Sequence, residues 1–339
     1  MSVINILKSE FQTVFPRLAS GKYVHFLMVR HSQSFPVFQT DGVLNTARTQ
    51  AGLDNPDSIS RLVMFKRKQV SPERLVGREL LRSLNLINSE EKKAENFCRY
   101  GAEQFCGKCP DCVIYGFAVG ERGSERSKVY SDSAFSLSPY QDSHKSFTFN
   151  ALSESGTMML DPDDDKRTET NKVRSSINEL DHVLPEVTFP TVETLRDPTF
   201  ESFLYVLGNL MRTRRYGAQE SRTGTMANHI IGIVLCDGEI FSNLHFTQSL
   251  YDALKSDLNA PIADIIIKAT EVASNLLNQE PIRKTQVISG SQLTDLLSEV
   301  TAIYQDETRL RDTLTTLYQQ TKIYAETYGA IAGKKGKSK

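Results

Sequence analysis

The sequence predicts an α+β fold, and three observations support that prediction. Apolar runs rich in strand-forming residues alternate with segments that place apolar residues at helical spacing. The core elements follow the order strand, helix, strand, strand, helix, strand, and long polar segments interrupt them. This order is typical of ferredoxin-like and RRM-like folds, so we predict a modified RRM-like palm with large insertions and a helical C-terminal part.

The first half of the chain supplies the opening core elements. A short helix over residues 2–15 precedes the apolar run from Tyr23 to Val29, which predicts a mostly buried strand. Asp41-Gly42 is typical of a tight turn, where a hairpin is expected. A further strand is predicted over residues 59–70. The helix that follows is predicted to start at Ser71-Pro72-Glu73, because this triplet combines a capping hydroxyl, a first-turn proline and an acid.

The second half completes the core after a polar interruption. Residues 128–195 are strand-like at both ends and polar in the middle, which predicts a long, mobile excursion from the sheet. Asp197-Pro198 opens the clearest helix of the chain, and residues 228–236 predict the last core strand. Beyond residue 251 the apolar spacing predicts helices that pack against the body or a partner helix.

Composition restricts the class of protein. The chain has 40 Lys and Arg residues against 41 Asp and Glu residues, a net charge of −1, so no long-range field draws the whole molecule onto nucleic acid. No apolar run approaches the roughly 18 residues that span a bilayer, and charged residues interrupt the N-terminus where a signal peptide would be apolar. We expect a soluble cytoplasmic protein that does not bind membranes.

Four of the five cysteines lie in one segment with the spacing of a metal site. The pattern Cys98-x7-Cys106-Gly-Lys-Cys109-Pro-Asp-Cys112 can close four thiolates around one ion. Structural Zn²⁺ is the first interpretation, and an iron–sulfur cluster is the second, although no cysteine follows Cys112 three residues later. Disulfides are the third interpretation. The remaining cysteine, Cys236, ends an apolar run and is expected to be buried in a strand.

Two segments concentrate positive charge despite the balanced total. Residues 61–82 carry seven basic residues against two acids, and residues 212–224 carry four arginines against Glu220. Guanidinium groups bind phosphate oxygens, Tyr216 can stack on a base, and a helix N-terminus near Ser71 can bind an anion. These features favour RNA as a partner. A solvated arginine loop and a strand edge protected by charge remain open alternatives.

The order of three motifs resembles a known family. These motifs are Val70-Ser71-Pro72-Glu73-Arg74, the loop from Arg214 to Gly224 and the insertion from Cys98 to Cys112. Over most of residues 1–330 the chain is similar to the guide-RNA-binding backbone subunit, of the RAMP superfamily, in type I-D CRISPR surveillance complexes. The resemblance implies that several copies stack along one guide RNA (crRNA) with other CRISPR subunits, and that the guide pairs with target nucleic acid.

The resemblance also implies functional residues and segments. It assigns guide contacts to Arg30, His31, Arg48, Arg67, Lys68, Ser71, Arg74, Arg214, Arg215, Tyr216 and Arg222. It divides the chain into an RRM-like palm (1–95 and 191–250), a four-cysteine zinc insertion (96–127), a mobile thumb insertion (128–190), a helical C-terminal region (251–332) and a disordered basic tail (333–339).

Catalysis is the alternative to a binding role. Related subunits cleave RNA with an aspartate after the first strand, and Asp41 lies in the corresponding stretch, although a turn aspartate before Gly42 is the favoured interpretation. His31 is a candidate general base, and the acidic run from Asp161 to Asp165 is a candidate divalent-ion ligand. Because no paired carboxylates or nucleophile–base motif accompany these residues, we expect a non-catalytic subunit. A zinc scaffold that binds proteins is a further alternative.

Overall fold

The computed structural model describes residues 3–101, 104–120, 123–149, 178–217, 224–255 and 257–329. Within these ranges the strands are β1 (Tyr23–Ser32), β2 (Gln39–Thr40), β3 (Val43–Leu44), β4 (Thr46–Gln50), β5 (Ser58–Met64), β6 (Phe117–Ala118), β7 (Ser124–Glu125), β8 (Val129–Ser131), β9 (Ala134–Phe135), β10 (His144–Phe149), β11 (Asn178–Val183), β12 (Thr188–Arg196), β13 (Met226–Cys236) and β14 (Lys284–Ile288). The helices are α1 (Val3–Leu7), α2 (Lys66–Ser83), α3 (Pro110–Tyr115), α4 (Tyr140–Ser143), α5 (Phe200–Arg212), α6 (Asn243–Leu254), α7 (Ile262–Gln279), α8 (Gly290–Gln305) and α9 (Glu307–Tyr328).

A five-stranded antiparallel sheet forms the centre of the molecule. Its spatial order is β14-β13-β1-β12-β8, so the first core strand lies between two strands that are far from it in sequence. At the far end of β1, Arg30 lies opposite Phe189 of β12 and Asn228 of β13. The prediction of an α+β fold with a helical C-terminal part is confirmed.

Helices cover both faces of this sheet. On one face, α2, α5, α8 and α9 pack over a core that includes Phe26, Met28, Phe203 and Leu296. On the other face, α6 and α7 pack over Leu27, Val29 and further apolar residues. Side chains of β1 alternate between the two faces of the sheet. Because helices cover both faces, nearly all of these side chains are buried, which explains the nearly continuous apolar sequence of β1.

The start of α2 differs from the sequence prediction. We predicted a strand over 59–70 and a helix from Ser71, whereas β5 ends at Met64 and α2 begins at Lys66, which leaves Pro72 inside the helix. Pro72 has no N–H to donate to the preceding turn, a loss that interior prolines normally make costly. Burial of Gln69 and Val70 and the hydrogen bonds from the Gln69 amide to the Met64 and Asp132 carbonyls (2.7 and 2.8 Å) stabilise the first turns.

Other local predictions have mixed outcomes. Asp41 and Gly42 both have positive φ (55° and 84°) between β2 and β3, as expected for a tight hairpin turn. The helix predicted over 2–15 is shorter, since α1 ends at Leu7 and a single 3₁₀ turn follows. The excursion before the third core strand contains the β10–β11 hairpin. The acidic run from Asp161 to Asp165 and the basic tail lie outside the described residues.

None of the helices among the described residues is long and apolar enough to cross a membrane.

The contact between α2 and α5 at Gly77 leads to a stability prediction. A methyl group on Gly77 would overlap the hydroxyl of Tyr205 and the amide of Asn209. Alanine is favoured over glycine in a helix interior by about 1 kcal/mol, whereas overpacking a core costs about 1–3 kcal/mol. We therefore expect Gly77→Ala to lower the free energy of unfolding in urea by up to about 2 kcal/mol, the net of these two effects.

The matched control uses the Tyr205 hydroxyl, which is buried without a hydrogen-bond partner among the described residues. Tyr205→Phe should therefore be tolerated by itself and should restore part of the stability lost in Gly77→Ala. A Gly77→Ala protein more stable than the parent would show that the helices separate without cost at this point.

Candidate metal centre and basic surface

The four clustered cysteines converge on one point beside α2. Cys109 is the residue before α3, Cys112 lies within that helix, and Cys98 and Cys106 belong to the preceding loop. All four sulfur atoms lie within 4.8 Å of one another. The Sγ–Sγ distances are 3.6 Å from Cys98 to Cys112, 3.7 Å from Cys98 to Cys109 and 3.9 Å from Cys106 to Cys112.

These distances fit a metal centre and do not fit disulfides. Tetrahedral coordination with metal–sulfur bonds of about 2.3 Å places the sulfurs about 3.8 Å apart. A disulfide needs a separation of about 2.05 Å, and the cysteines of the cluster are free. Because three of the four are also fully shielded from solvent, the cluster could bind one metal ion in a closed site.

Donors around the cluster favour the thiolate form of Cys98 and Cys106, whereas the pKa values of Cys109 and Cys112 are raised, that of Cys109 chiefly by burial. The backbone N–H groups of Lys108 and Cys109 point at the Cys106 sulfur (3.5 and 3.3 Å), and Arg78 Nη1 lies 3.4 Å from the Cys98 sulfur. Hydrogen bonds from the other three thiols lower the pKa of the Cys98 thiol, and the guanidinium of Arg78 lowers it further. Such neighbours orient metal ligands and offset the negative charge of several thiolates.

Asp111 joins the cysteine segment to α2. Its carboxylate accepts two hydrogen bonds from Arg74, at 2.9 and 2.8 Å, and one from Arg78, at 2.7 Å. The two arginines are four residues apart and therefore lie on one face of α2. All three side chains are buried or nearly so, which makes this pairing strong and directional.

A second buried ion cluster lies at the end of β1. Arg30 pairs with Glu73 of α2 at 2.9 Å and with Glu193 of β12 at 3.4 Å, and none of these three side chains is exposed. The Tyr216 ring packs on the Arg30 guanidinium at 4.8 Å, and its hydroxyl donates to Glu73 at 3.0 Å. Burial raises the pKa of Glu193 well above the usual range, and the charge of Glu73 adds to this effect.

Three residues expected to contact RNA are thereby placed in the interior. Arg30 and Tyr216 are fully buried, and Arg74 is held by Asp111. The terminal guanidinium nitrogens of Arg30, the Tyr216 hydroxyl and the Arg74 guanidinium bond to protein groups, so in this structure these residues hold the fold together. Sequence reasoning treated them as exposed because their partners Glu193 and Asp111 are far away in the chain.

Other predicted contact residues remain at the surface. Arg67 at the start of α2 and Arg214 and Arg215 in the segment after α5 are exposed, as is Lys66. Tyr216, which follows Arg214 and Arg215, bonds to Glu73 of α2. Glu73 lies about two helical turns from Lys66, so the segment after α5 lies close to the start of α2. We call Lys66, Arg67, Arg214 and Arg215 the basic face.

The remaining predicted residues are less clustered. Lys68 is nearly buried, Ser71 is half-buried, and Arg48 is exposed on β4, where it donates to Ser58 at 2.7 Å. His31 is half-buried beside His229, with the ring centres 6.0 Å apart. Burial lowers the pKa of His31 below its ordinary value. Arg222 lies outside the described residues.

Sequence reasoning missed Asp111, Glu73 and Glu193 as organising residues. A signal was present for two of these acids. Asp111 lies between two cysteines of the cluster, and Glu193 is the only acid in the strand-forming run TFPTVETLR, where a buried charge must find a partner. Glu73 was interpreted as a helix-start acid because Pro72 precedes it.

The fold and its sites define an α+β protein with a four-cysteine site, able to bind a metal ion, next to a basic surface. Comparison with known families narrows this class. The chain belongs to the Csc2 CRISPR family, whose sequence model matches residues 10–314.

One solved structure agrees with this family at the level of the fold, and two others are similar at lower TM-scores. The crystal structure of Thermofilum pendens Csc2 shares 14% identity, with a TM-score of 0.61, over 97% of this chain and 98% of its own. A chain titled "CRISPR RNA-guided surveillance complex" shares 11% identity, with a TM-score of 0.46, over 79% of this chain and 88% of its own. A second such chain, titled as a pre-nicking state, also has 11% identity and a TM-score of 0.46, over 78% and 90%. A search of curated proteins finds no match.

The cysteine geometry predicts one metal ion per chain. We expect elemental analysis of the purified protein to give about one equivalent, and Cys109→Ser to lose it. Metal binding at such sites contributes on the order of 10 kcal/mol, so the free energy of unfolding should fall by several kcal/mol.

Cys236→Ser is the matched control, because Cys236 is also buried but lies apart from the cluster. That variant should retain the metal. Full metal content in Cys109→Ser, or none in the parent protein purified without chelators, would contradict the assignment.

Proposed function

We propose that the chain is a non-catalytic guide-RNA-binding subunit that multimerises into the backbone of a type I-D CRISPR surveillance complex in the cytoplasm and serves antiviral defence. The observation that carries this proposal is membership of the Csc2 family together with the basic face. Its partners are the guide RNA, further copies of the chain, other subunits of the complex, and a target that pairs with the guide.

The architecture supports an RRM-like palm. The four strands β13-β1-β12-β8 have the spatial order in which the first and third core strands are central, and α2 and α5 pack on one face. We assign the palm to residues 1–95 and 191–250, the metal insertion to 96–127 and the thumb to 128–190, with β8 and the first residues of β12 joining the palm sheet from the thumb range. Strands β10 and β11 lie at the base of the thumb. Residues 251–332 form the helical C-terminal region.

RNA recognition by this palm would use phosphates and not the sheet. RRM domains stack bases on an open sheet face, whereas here α6 and α7 cover that face. The start of α2 favours anions, because its first turn contains no acid, no side chain caps it, and Lys66 and Arg67 add charge to its positive end. Arg214 and Arg215 extend the same surface.

Zinc is the metal that we propose for the cysteine cluster. Four thiolates in a closed tetrahedral arrangement are typical of structural zinc, which has no redox chemistry and needs no open position. Its role would be to fix the cysteine segment and, through Asp111, to hold α2. A brown protein that contains iron would favour an iron–sulfur cluster instead.

The basic face generates the binding prediction. Replacing Lys66, Arg67, Arg214 and Arg215 by alanine should weaken binding to RNAs of unrelated sequence by similar factors. Each lost phosphate contact should reduce the slope of log affinity against log salt concentration by roughly 0.7. Fluorescence anisotropy at several salt concentrations measures both quantities.

The control variant removes the same number of exposed charges on other elements, at Lys92, Lys255, Arg283 and Arg309. It should bind RNA nearly as well as the parent protein. Equal loss in both variants would mean that only net charge matters, and no loss in the first variant would exclude the basic face.

Assembly and catalysis can be tested in one preparation. Co-expression with a CRISPR array should yield a complex whose native mass equals several copies of the chain plus one guide RNA. A monomer free of RNA would contradict the proposed role. Incubation with complementary RNA and Mg²⁺ should leave the target intact. Regularly spaced cuts that disappear in Asp41→Ala, or in His31→Ala, would establish the catalytic alternative.

A further inference from the structure

A cleft of about 260 Å³ opens at the end of the sheet where β1 begins and β12 ends. It lies between the segment that precedes β1, the β7–β8 region, the end of β12 and the last helix, α9. Its charged lining residues are Arg17, Glu125, Arg126, Lys128, Arg196 and Asp197. Arg196 pairs with Tyr23 at the first residue of β1, and Arg30 lies seven residues further along that strand. Glu193 of the buried ion cluster lies three residues from Arg196 along β12, and Lys66 of the basic face donates to the Val129 carbonyl at 3.4 Å, so the cleft adjoins one edge of the basic face.

The charges of the cleft leave a positive excess. Lys128 pairs with Glu125 at 3.0 Å, and Arg196 lies 3.6 Å from Asp197, so the two acids are matched by two of the four cations. Arg17 and Arg126 then contribute two positive charges without a carboxylate partner among the described residues. Arg17 packs on the Tyr328 ring at 5.7 Å. An anion of charge −2 would balance the site.

The donors in the cleft are held in place before any ligand arrives. The Arg196 Nη1 atom donates to the Tyr130 hydroxyl at 2.9 Å, which fixes the guanidinium, while no hydrogen bond within the described chain uses its Nη2 atom. The Lys128 ammonium is held by Glu125, by the Val113 carbonyl at 3.0 Å and by the Tyr324 ring at 4.6 Å. Guanidinium groups fixed in this way match the geometry of phosphate oxygens.

We propose that this cleft binds a phosphate monoester, the −2 anion found on a mononucleotide or on the phosphorylated end of a nucleic acid. The charge balance favours a dianion over the single charge of an internal phosphodiester. The volume is below the range of about 300–1,000 Å³ that is usual for drug-sized ligands, so the phosphate and little more of the ligand would be enclosed. The residues that line the cleft are distinct from the four residues of the basic face.

Isothermal titration with adenosine monophosphate, adenosine, and a trinucleotide with and without a 5′-phosphate tests the proposal. We expect the phosphorylated ligands to bind and their unphosphorylated counterparts not to bind. Binding of the mononucleotide would indicate a free nucleotide as the source, and binding of the phosphorylated trinucleotide alone would indicate a nucleic-acid end.

Variants locate the binding within the cleft. Each of Arg17→Gln and Arg126→Gln should weaken the phosphorylated ligand about tenfold or more, the usual effect of losing a hydrogen bond between charged groups. Arg283→Gln, an exposed arginine in another region, should have no effect. Arg17 and Arg126 are exposed, so both variants should fold, and both should retain RNA binding by the basic face. Equal affinity for adenosine and its monophosphate, absence of binding at millimolar ligand, or unchanged affinity in both variants would overturn the proposal.

Discussion

The buried pairing of Arg30 with Glu73 and Glu193 is the constraint on which the arrangement of the molecule depends. It connects β1, α2 and β12, and through Tyr216 it also fixes the segment after α5. A charge left alone in this interior would cost several kcal/mol, so the four segments cannot separate individually. Arg214 and Arg215 are exposed next to Tyr216, so their position depends on the buried bond between Tyr216 and Glu73.

Helix α2 distributes its side chains among three neighbours. Lys66 and Arg67 of its first turn are exposed, Glu73 bonds to Arg30 of the sheet, and Arg74 and Arg78 bind Asp111 of the cysteine segment. Helix α2 therefore connects the cysteine segment to the basic face.

Local chemistry made the element order and the cysteine cluster predictable from the sequence. Strand-forming runs, the Asp41-Gly42 turn and Cys-x2-Cys spacing each act over a few residues, and all three appear in the structure. The exposure of individual arginines was not predictable in this way. Arg30 meets Glu193 from 163 positions away, and Arg74 meets Asp111 from 37 positions away. Pro72 misled the helix assignment because tertiary packing of Gln69 outweighed a local start signal.

Because helices cover both faces of the central sheet, the protein could bind guides of any sequence. An open sheet that stacks bases would develop preferences among them, and each preference would exclude part of the possible guides. A protein surface that contacts only the sugar–phosphate chain does not distinguish one guide sequence from another. If the chain holds a guide as proposed, newly acquired guides need no matching change in the protein, and immunity can be extended by adding nucleic acid alone.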